Sequence, residues 1–384
     1  MDNLISIESL VFSPIVFVLS LILSLKVCNL FKVGYKLSLI LYLWHSLFCF
    51  IYIWFSFNFS ADSKKYFLLA TQDGNRDFGF GTSFIVYITY IFNNFFSLSY
   101  IDQFLIHNFI GYIGLLAFAA AINQVTLDKQ KSIRILGWAI IFLPSVSFWT
   151  TGLGKDSISF MATGLTLWAA LNLKKRIGFF VFAIIAMLMV RPHMAAVMLA
   201  AYTLAFIFDK RISILQRFII GGTAIVLSGL MIPFALQYAG LGDAENVTDV
   251  EEYIDQRQSY NLEGGSSLDI SSMSLPMQLF TYLFRPLPFE ANSIFALVAS
   301  LDNIILLFLA VWGITAIIKK SKPSVESSRA FLWLYVLIAW LIFATTTANL
   351  GIAMRQKWMF LPCLIFLLLS VIGTKNIKMR KGLK

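Results

Sequence analysis

The run from Ile177 to Phe208 constrains the fold more than any other stretch. It covers 32 residues and is apolar except around Arg191-Pro192-His193, near its middle. As one helix it would rise roughly 48 Å, well beyond the roughly 30 Å hydrocarbon core of a bilayer. Lys174-Lys175-Arg176 precedes it and Asp209-Lys210-Arg211 follows it, so the positive-inside rule puts both ends in the cytoplasm. The run therefore reads as a hairpin of two short helices turning at Arg191-Pro192-His193 toward the opposite face. Proline ends the hydrogen-bond ladder and biases the preceding residue away from helix. An arginine near the bilayer centre costs about 3 kcal/mol, so Arg191 implies a wet cavity or an anion. The alternative is a loop arginine that snorkels to the headgroups.

Composition extends this reading to the whole chain. Charged residues make up 13% and hydrophobic ones 59% of 384, against about 25% charged in a soluble domain. The fold class is all-α and polytopic: a single membrane domain over residues 1–384, with no sizeable soluble part. The net charge of +10 is explained by cytoplasmic loops and not by nucleic acid. Cys28, Cys49 and Cys363 lie in or beside apolar segments without ligand spacing, which implies neither disulfide nor metal. The first apolar run reads as a retained span, not a cleaved signal.

The apolar runs give about 11 transmembrane helices with the N-terminus outside. They fall at about 11–27, 37–58, 103–123, 135–151 and 157–173, the two hairpin arms, then about 213–236, 295–317, 330–347 and 358–373. The segment 82–98 is read as a surface helix within an external loop at 59–102. If it crossed as well, Asp128-Lys129-Gln130-Lys131 and Arg134 would lie outside, against the positive-inside rule. A second, larger external loop occupies 237–292, acidic at first and then Gly/Ser-rich at Gly264-Gly265-Ser266-Ser267. Of the 30 Lys and Arg, nine fall outside: Lys64, Lys65, Arg76, Lys155, Arg191, Arg257, Arg285, Arg355 and Lys357. Most sit in compact polar clusters close to span ends, which marks the external face as the working face.

Four clusters carry chemistry. Asp62, just beyond the second span, is placed to act as a general base toward a hydroxyl, or is an ordinary solvated acid. Phe148-Trp149-Thr150-Thr151-Gly152-Leu153-Gly154-Lys155-Asp156 reads as an interfacial aromatic, a flexible turn and a charge pair; Asp156 alternatively caps the next helix. Arg285 stands between Phe284 and Pro286 with Glu290 after it. Asn349-Leu350-Gly351-Ile352-Ala353-Met354-Arg355-Gln356-Lys357 repeats that kind of cluster. Arginine's planar fork matches phosphate oxygens bidentately. Arg191, Arg285 and Arg355, placed on one face, suggest a shared anionic ligand such as a phosphate-bearing lipid. Their alternative is to hold lipid headgroups or to pair with Asp62, Asp156 and Glu290. Two interior features read as packing: His45 as a helix–helix hydrogen bond, and Asp302-Asn303 as a helix-packing pair.

At these residues the chain resembles known families. Asp62 with Tyr66 and Ala70, then Gly79-Phe80-Gly81-Thr82 and a surface helix, resembles the first external loop of the GT-C glycosyltransferase superfamily. The pieces Phe148-Trp149, Gly154-Lys155-Asp156, Arg191-Pro192-His193, Phe284-Arg285-Pro286 and Asn349-Leu350-Gly351 with Arg355-Gln356 are similar to polytopic proteins of bacterial surface-polysaccharide clusters, among them Wzy-type repeat-unit polymerases. The resemblance implies glycosyl transfer on the periplasmic side of the bacterial inner membrane, from a polyprenyl-(di)phosphate-linked glycan donor to a glycan acceptor, in O-antigen, capsule or exopolysaccharide synthesis. It implies Arg191, Arg285, Arg355 and Lys155 as phosphate ligands and Asp62 or His193 as the proton acceptor. Asp156, Glu290, Asn349 and Gln356 support them. No cofactor and no metal are implied, and a chain-length regulator is a candidate partner. The chain departs from the GT-C pattern in one extra span before the acidic loop and a single acid within it.

A single-sugar transferase and a lipid-linked glycan flippase remain as alternatives. A flippase needs polar residues reaching both faces, whereas the clusters here are one-sided. A membrane acyltransferase would need a histidine within a span, for which His45 and His107 are candidates beside His193.

Overall fold

Long apolar runs in a bilayer must satisfy their own backbone, and helix is the way a single segment does so. The computed structural model describes residues 9–71, 77–207 and 272–373, with positions 222, 229, 268 and 270. Its elements are all helices: α1 Ser9–Phe31, α2 Tyr35–Asn58, α3 Asp62–Thr71, α4 Thr82–Phe96, α5 Tyr100–Thr126, α6 Lys131–Ile141, α7 Pro144–Thr150, α8 Lys155–Ala170, α9 Leu173–Val190 and α10 Pro192–Ile207. After the gap come α11 Leu275–Phe284, α12 Ile294–Ile318, α13 Arg329–Thr346, α14 Leu350–Gln356 and α15 Leu361–Val371, with 3-10 turns at Pro288–Glu290 and Lys357–Met359.

Among the described residues, six segments are long and apolar enough to cross a membrane: α1, α2, α5, the joined α6–α7, α12 and α13. A seventh is reached if α14 and α15, bent by 64° at Phe360, form one span. The chain is thus a multi-span helical membrane protein. The segments read as further spans at 157–173 and in the Arg191 hairpin form α8, α9 and α10; α8 and α10 are shorter, at 16 residues each, and α9, at 18, carries Lys174, Lys175 and Arg176 at its start. α4 has 15 residues and rises about 22 Å, short of a crossing; it packs on α3 and touches α9. The span expected at 213–236 and most of the loop at 237–292 lie outside the described residues.

α5 is the centre of the bundle. A capping box starts it: Ser99 Oγ accepts from the Asp102 amide, and Asp102 Oδ2 accepts from the Ser99 amide at 2.8 Å. It packs most extensively on α8 and also meets α1, α2, α6 and α7. Small residues set the closeness of the α5–α8 crossing. A Cβ on Gly164 would stand 2.4 Å from the Gly114 carbonyl oxygen, so a larger side chain would force the helices apart. The outer helices keep one apolar face uncovered. On α12, Leu297, Leu301, Ile304, Phe308 and Val311 are exposed at spacings of three and four, the stripe that a helix turns toward lipid.

One interior expectation is corrected. His45 is fully buried, yet neither ring nitrogen has a hydrogen-bond partner among the described residues. The α2–α5 contact is bonded by its neighbours instead: Asn108 Nδ2 donates to Ser46 Oγ at 2.9 Å, and Ser38 and Tyr112 share a bond of 2.6 Å. The His45 ring fills space over Gly111, where a Cβ would lie 3.0 Å from Nε2. Asp302 and Asn303 do bond between elements. Asp302 Oδ2 accepts from the Ser145 amide of α7 at 2.7 Å, and Asn303 Nδ2 donates to the Pro286 carbonyl at 3.0 Å.

Candidate functional site

The turn between α7 and α8 is tightly packed. A Cβ on Gly152 would fall 2.0 Å from Tyr52 Cε1, so only glycine lets α2 lie against the turn. Closing it there sets Lys155 and Asp156 in the first turn of α8, ahead of its apolar run. Asp156 makes no cap bond; the cap residue is Gly154. Nor do Lys155 and Asp156 form the charge pair expected of neighbours. Lys155 Nζ donates to Thr82 Oγ1 at 2.9 Å, at the start of α4.

Asp156 instead joins two arginines from distant parts of the chain. Arg191 Nη2 donates to Oδ1 at 2.8 Å and Arg355 Nε to Oδ2 at 2.9 Å. Arg355 Nη1 also donates to Asp62 Oδ2 at 2.8 Å. Each arginine is delivered by a helix break. Arg191 follows the last residue of α9 and precedes Pro192, with a non-helical backbone at φ −148° and ψ 76°; proline disfavours helix at the residue before it. Arg355 stands in the last turn of α14, a seven-residue helix whose start is capped by Asn349, with Oδ1 accepting from the Ile352 amide at 3.2 Å. Gln356 Oε1 accepts from Thr347 Oγ1 at 3.3 Å and folds the segment back on itself. The two supporting residues thus brace the arginine's helix.

The carboxylates differ in exposure. Asp156 has 14% of its side chain exposed, Asp62 47%. Burial alone would raise the Asp156 carboxyl; the Arg355 and Arg191 guanidiniums outweigh it and hold the group below the usual carboxylate range. Asp62 is on the rim and makes one ion pair. Tyr52, Tyr66, Trp149 and Leu153 close the walls, leaving about 10 Å³ of free space, room for about one water. The Arg355 guanidinium carbon lies 6.0 Å from the Trp149 ring centre.

Among the described residues, Arg191, Arg355 and Lys155 face two carboxylates, leaving one positive charge in surplus. Arg191 is buried, and its Nε–H has no acceptor among the described residues.

The remaining expected residues sort differently. Arg285 does not join this cluster by any bond among the described residues. It forms a fork with Glu290, Nε to Oε2 at 3.1 Å and Nη2 to Oε1 at 2.6 Å. Glu290 also accepts from the Leu287 amide at 2.8 Å. Burial raises the Glu290 carboxyl, but those bonds to Arg285 and Leu287 lower it further, with a net downward shift. The Arg285–Pro286 peptide is cis. His193 stands in the first turn of α10, its ring edge-on to Phe343 at 6.4 Å.

Two participants had weak signals or none. Tyr66, one helical turn beyond Asp62, enters the sequence reading only through the resemblance and has no role there; it is a wall of the cluster. Lys357, read as an external cation, is 1% exposed. Its ammonium donates to Asn303 Oδ1 at 2.5 Å and to the Leu283 carbonyl at 3.3 Å, tying the Arg355 segment to α12 and to the end of α11.

No known protein-family model matches the chain, and neither a curated protein nor a solved structure matches it. The site therefore has to be read from its own chemistry.

Proposed function

We propose that the chain is a bacterial inner-membrane glycosyltransferase that polymerises a surface polysaccharide from polyprenyl-(di)phosphate-linked glycans. In this reading it has about eleven spans, its N-terminus is outside and the Asp156 cluster faces the periplasm. The observation that carries the proposal is the surplus positive charge at that cluster, with a buried arginine N–H lacking an acceptor. Buried polar groups are almost always bonded, so the arrangement favours an anion with several oxygens, and phosphate is the anion that bilayer lipids present.

The acceptor hydroxyl attacks the anomeric carbon of the donor sugar. The bond from that carbon to the phosphate oxygen breaks, and polyprenyl diphosphate leaves with the electron pair. Arg191, Arg355 and Lys155 neutralise the departing charge, the electrostatic contribution that dominates such reactions. Asp156 holds the two guanidiniums in register. Entering phosphate takes the Arg355 Nη1 position now filled by Asp62, and the released carboxylate accepts the hydroxyl proton. Asp62 is preferred over His193 as base because it already touches the arginine. Arg285, occupied by Glu290, is not counted among the phosphate ligands.

Deleting the gene tests this. The expected outcome is surface glycan capped by a single repeat unit, with the length ladder lost and a chain-length regulator left without effect. A ladder that persists but lacks one sugar in every repeat would establish a single-sugar transferase. Unchanged glycan with lipid-linked precursor held on the cytoplasmic side would establish a flippase.

A further inference from the structure

The Asp156 cluster leaves Lys64 and Lys65 unused. Both stand on α3, the helix that sends Asp62 and Tyr66 into that cluster. Lys64 with Leu68, and Lys65 with Leu69, are pairs one turn apart on other flanks of the same helix. With Phe57, Asn58, Phe59, Ser60 and Ala61 they line a separate open cavity of about 540 Å³, within the range of small-ligand sites. No ion pair joins either lysine to a carboxylate among the described residues.

The cavity also continues a surface. Along α2, Leu43, Leu47, Phe50 and Trp54 are 47%, 49%, 49% and 56% exposed, spaced by three and four. The next steps of that stripe are Phe57 and Asn58, which line the cavity. An apolar track toward lipid thus ends at two ammonium groups that no carboxylate among the described residues neutralises, beside a helix end. That combination matches an amphiphile with an anionic head: the chain lies on the track, and the head reaches the lysines. A soluble anion would not use the track, and an uncharged lipid would not use the lysines.

We propose that this cavity binds the phosphate head of a polyprenyl phosphate drawn from the bilayer, on Lys64 and Lys65, as a second site beside the Asp156 cluster. The choice of polyprenyl chain rests on the proposed function, since a polymerase holds two lipid-linked glycans at once; binding of a phosphate-headed lipid does not depend on it.

The test titrates the full chain, purified in maltoside detergent, with polyprenyl monophosphate and counts bound lipid by native mass spectrometry. The wild type is expected to bind two. Lys64→Gln with Lys65→Gln should weaken one of the two events about 25-fold, at about fivefold for each lysine near a membrane surface. Lys64→Arg with Lys65→Arg should retain it, and Arg355→Lys should weaken only the other. Unchanged binding by a folded, monodisperse Gln/Gln variant overturns the inference. So does equal binding of uncharged polyprenol, or displacement by inorganic phosphate at matching concentration. If Gln/Gln and Arg355→Lys remove the same event, cavity and cluster are one site and the inference also falls. A wild type that binds one lipid, lost only in Gln/Gln, would keep this site and count against the proposed function instead.

Discussion

Arg355 Nε donates to Asp156 Oδ2 at 2.9 Å across 199 residues of sequence. This bond joins the last broken helix of the described chain to the first turn of α8, and Arg191 occupies the other oxygen of the same carboxylate. Asp156 is thus the organiser of the site, while Asp62 is its exchangeable member.

That division predicts opposite outcomes for two conservative changes. Asp156→Asn removes the shared counter-ion of two largely buried arginines. Breaking a buried pair in this way costs about 3–5 kcal/mol, so membrane abundance and melting temperature should both fall. Asp62→Asn breaks a half-exposed pair worth about 1 kcal/mol or less. Its melting temperature should stay near the wild-type value while transfer is lost. Equal melting curves for the two variants would contradict the assignment.

The arginines should also separate. Arg191→Lys and Arg355→Lys keep the charge but lose the fork, and each should lower turnover by about 100-fold or more, the scale of one lost donor to developing charge. Arg285→Lys should stay within a few-fold, because Glu290 already occupies that fork. A large loss at Arg285 would place it back among the phosphate ligands.

The α7–α8 turn can be tested without an activity assay. Gly152→Ala drives a methyl into Tyr52 and should lower the melting temperature of the detergent-solubilised protein by several degrees. Gly178→Ala meets nothing within 4 Å and lies inside α9, where alanine is the better helix former; it should be neutral or stabilising.

Acid should release the Arg285 fork. The Glu290 carboxyl is lowered by its bonds to Arg285 and the Leu287 amide, net of burial. Stabilisation from a lowered acid is fully present above its unfolded pKa and disappears as pH falls through the folded one. The melting difference between wild type and Glu290→Gln should be constant above about pH 4.5 and should shrink as pH is lowered further. A difference that grows on acidification would reverse the sign of the argument.

Much of this architecture is legible in the sequence because it is written locally. The break at Arg191-Pro192 ends α9 at Val190, and the apolar run after Gly81 becomes α4, Thr82–Phe96. The Arg285–Glu290 fork spans five residues. The role of Asp156 is not local. Its partners lie 35 and 199 residues away, and Asp62 lies 293 residues from Arg355. No periodicity or spacing couples positions that far apart; their meeting follows from how the helices pack. The burial of Lys357 is not local either. A lysine two residues after Arg355 looks solvated in sequence; its ammonium bonds to Asn303 of α12 and to the Leu283 carbonyl of α11.

Orientation is open to a direct assay. Reporter fusions after Leu153 and Leu350 should report the periplasm, and those after Lys131, Lys175 and Lys322 the cytoplasm. A fusion after Lys131 that reports outside would mean that 82–98 crosses the membrane.

The most direct measurement supplies purified full chain in liposomes with a polyprenyl-diphosphate-linked oligosaccharide and resolves the glycan products by length. Wild type should yield a ladder, with one polyprenyl diphosphate released for each glycosidic bond formed, and the Arg191→Lys, Arg355→Lys double variant should yield none. A folded wild type that forms no product longer than the single oligosaccharide, or a double variant that forms the ladder undiminished, would contradict the proposal.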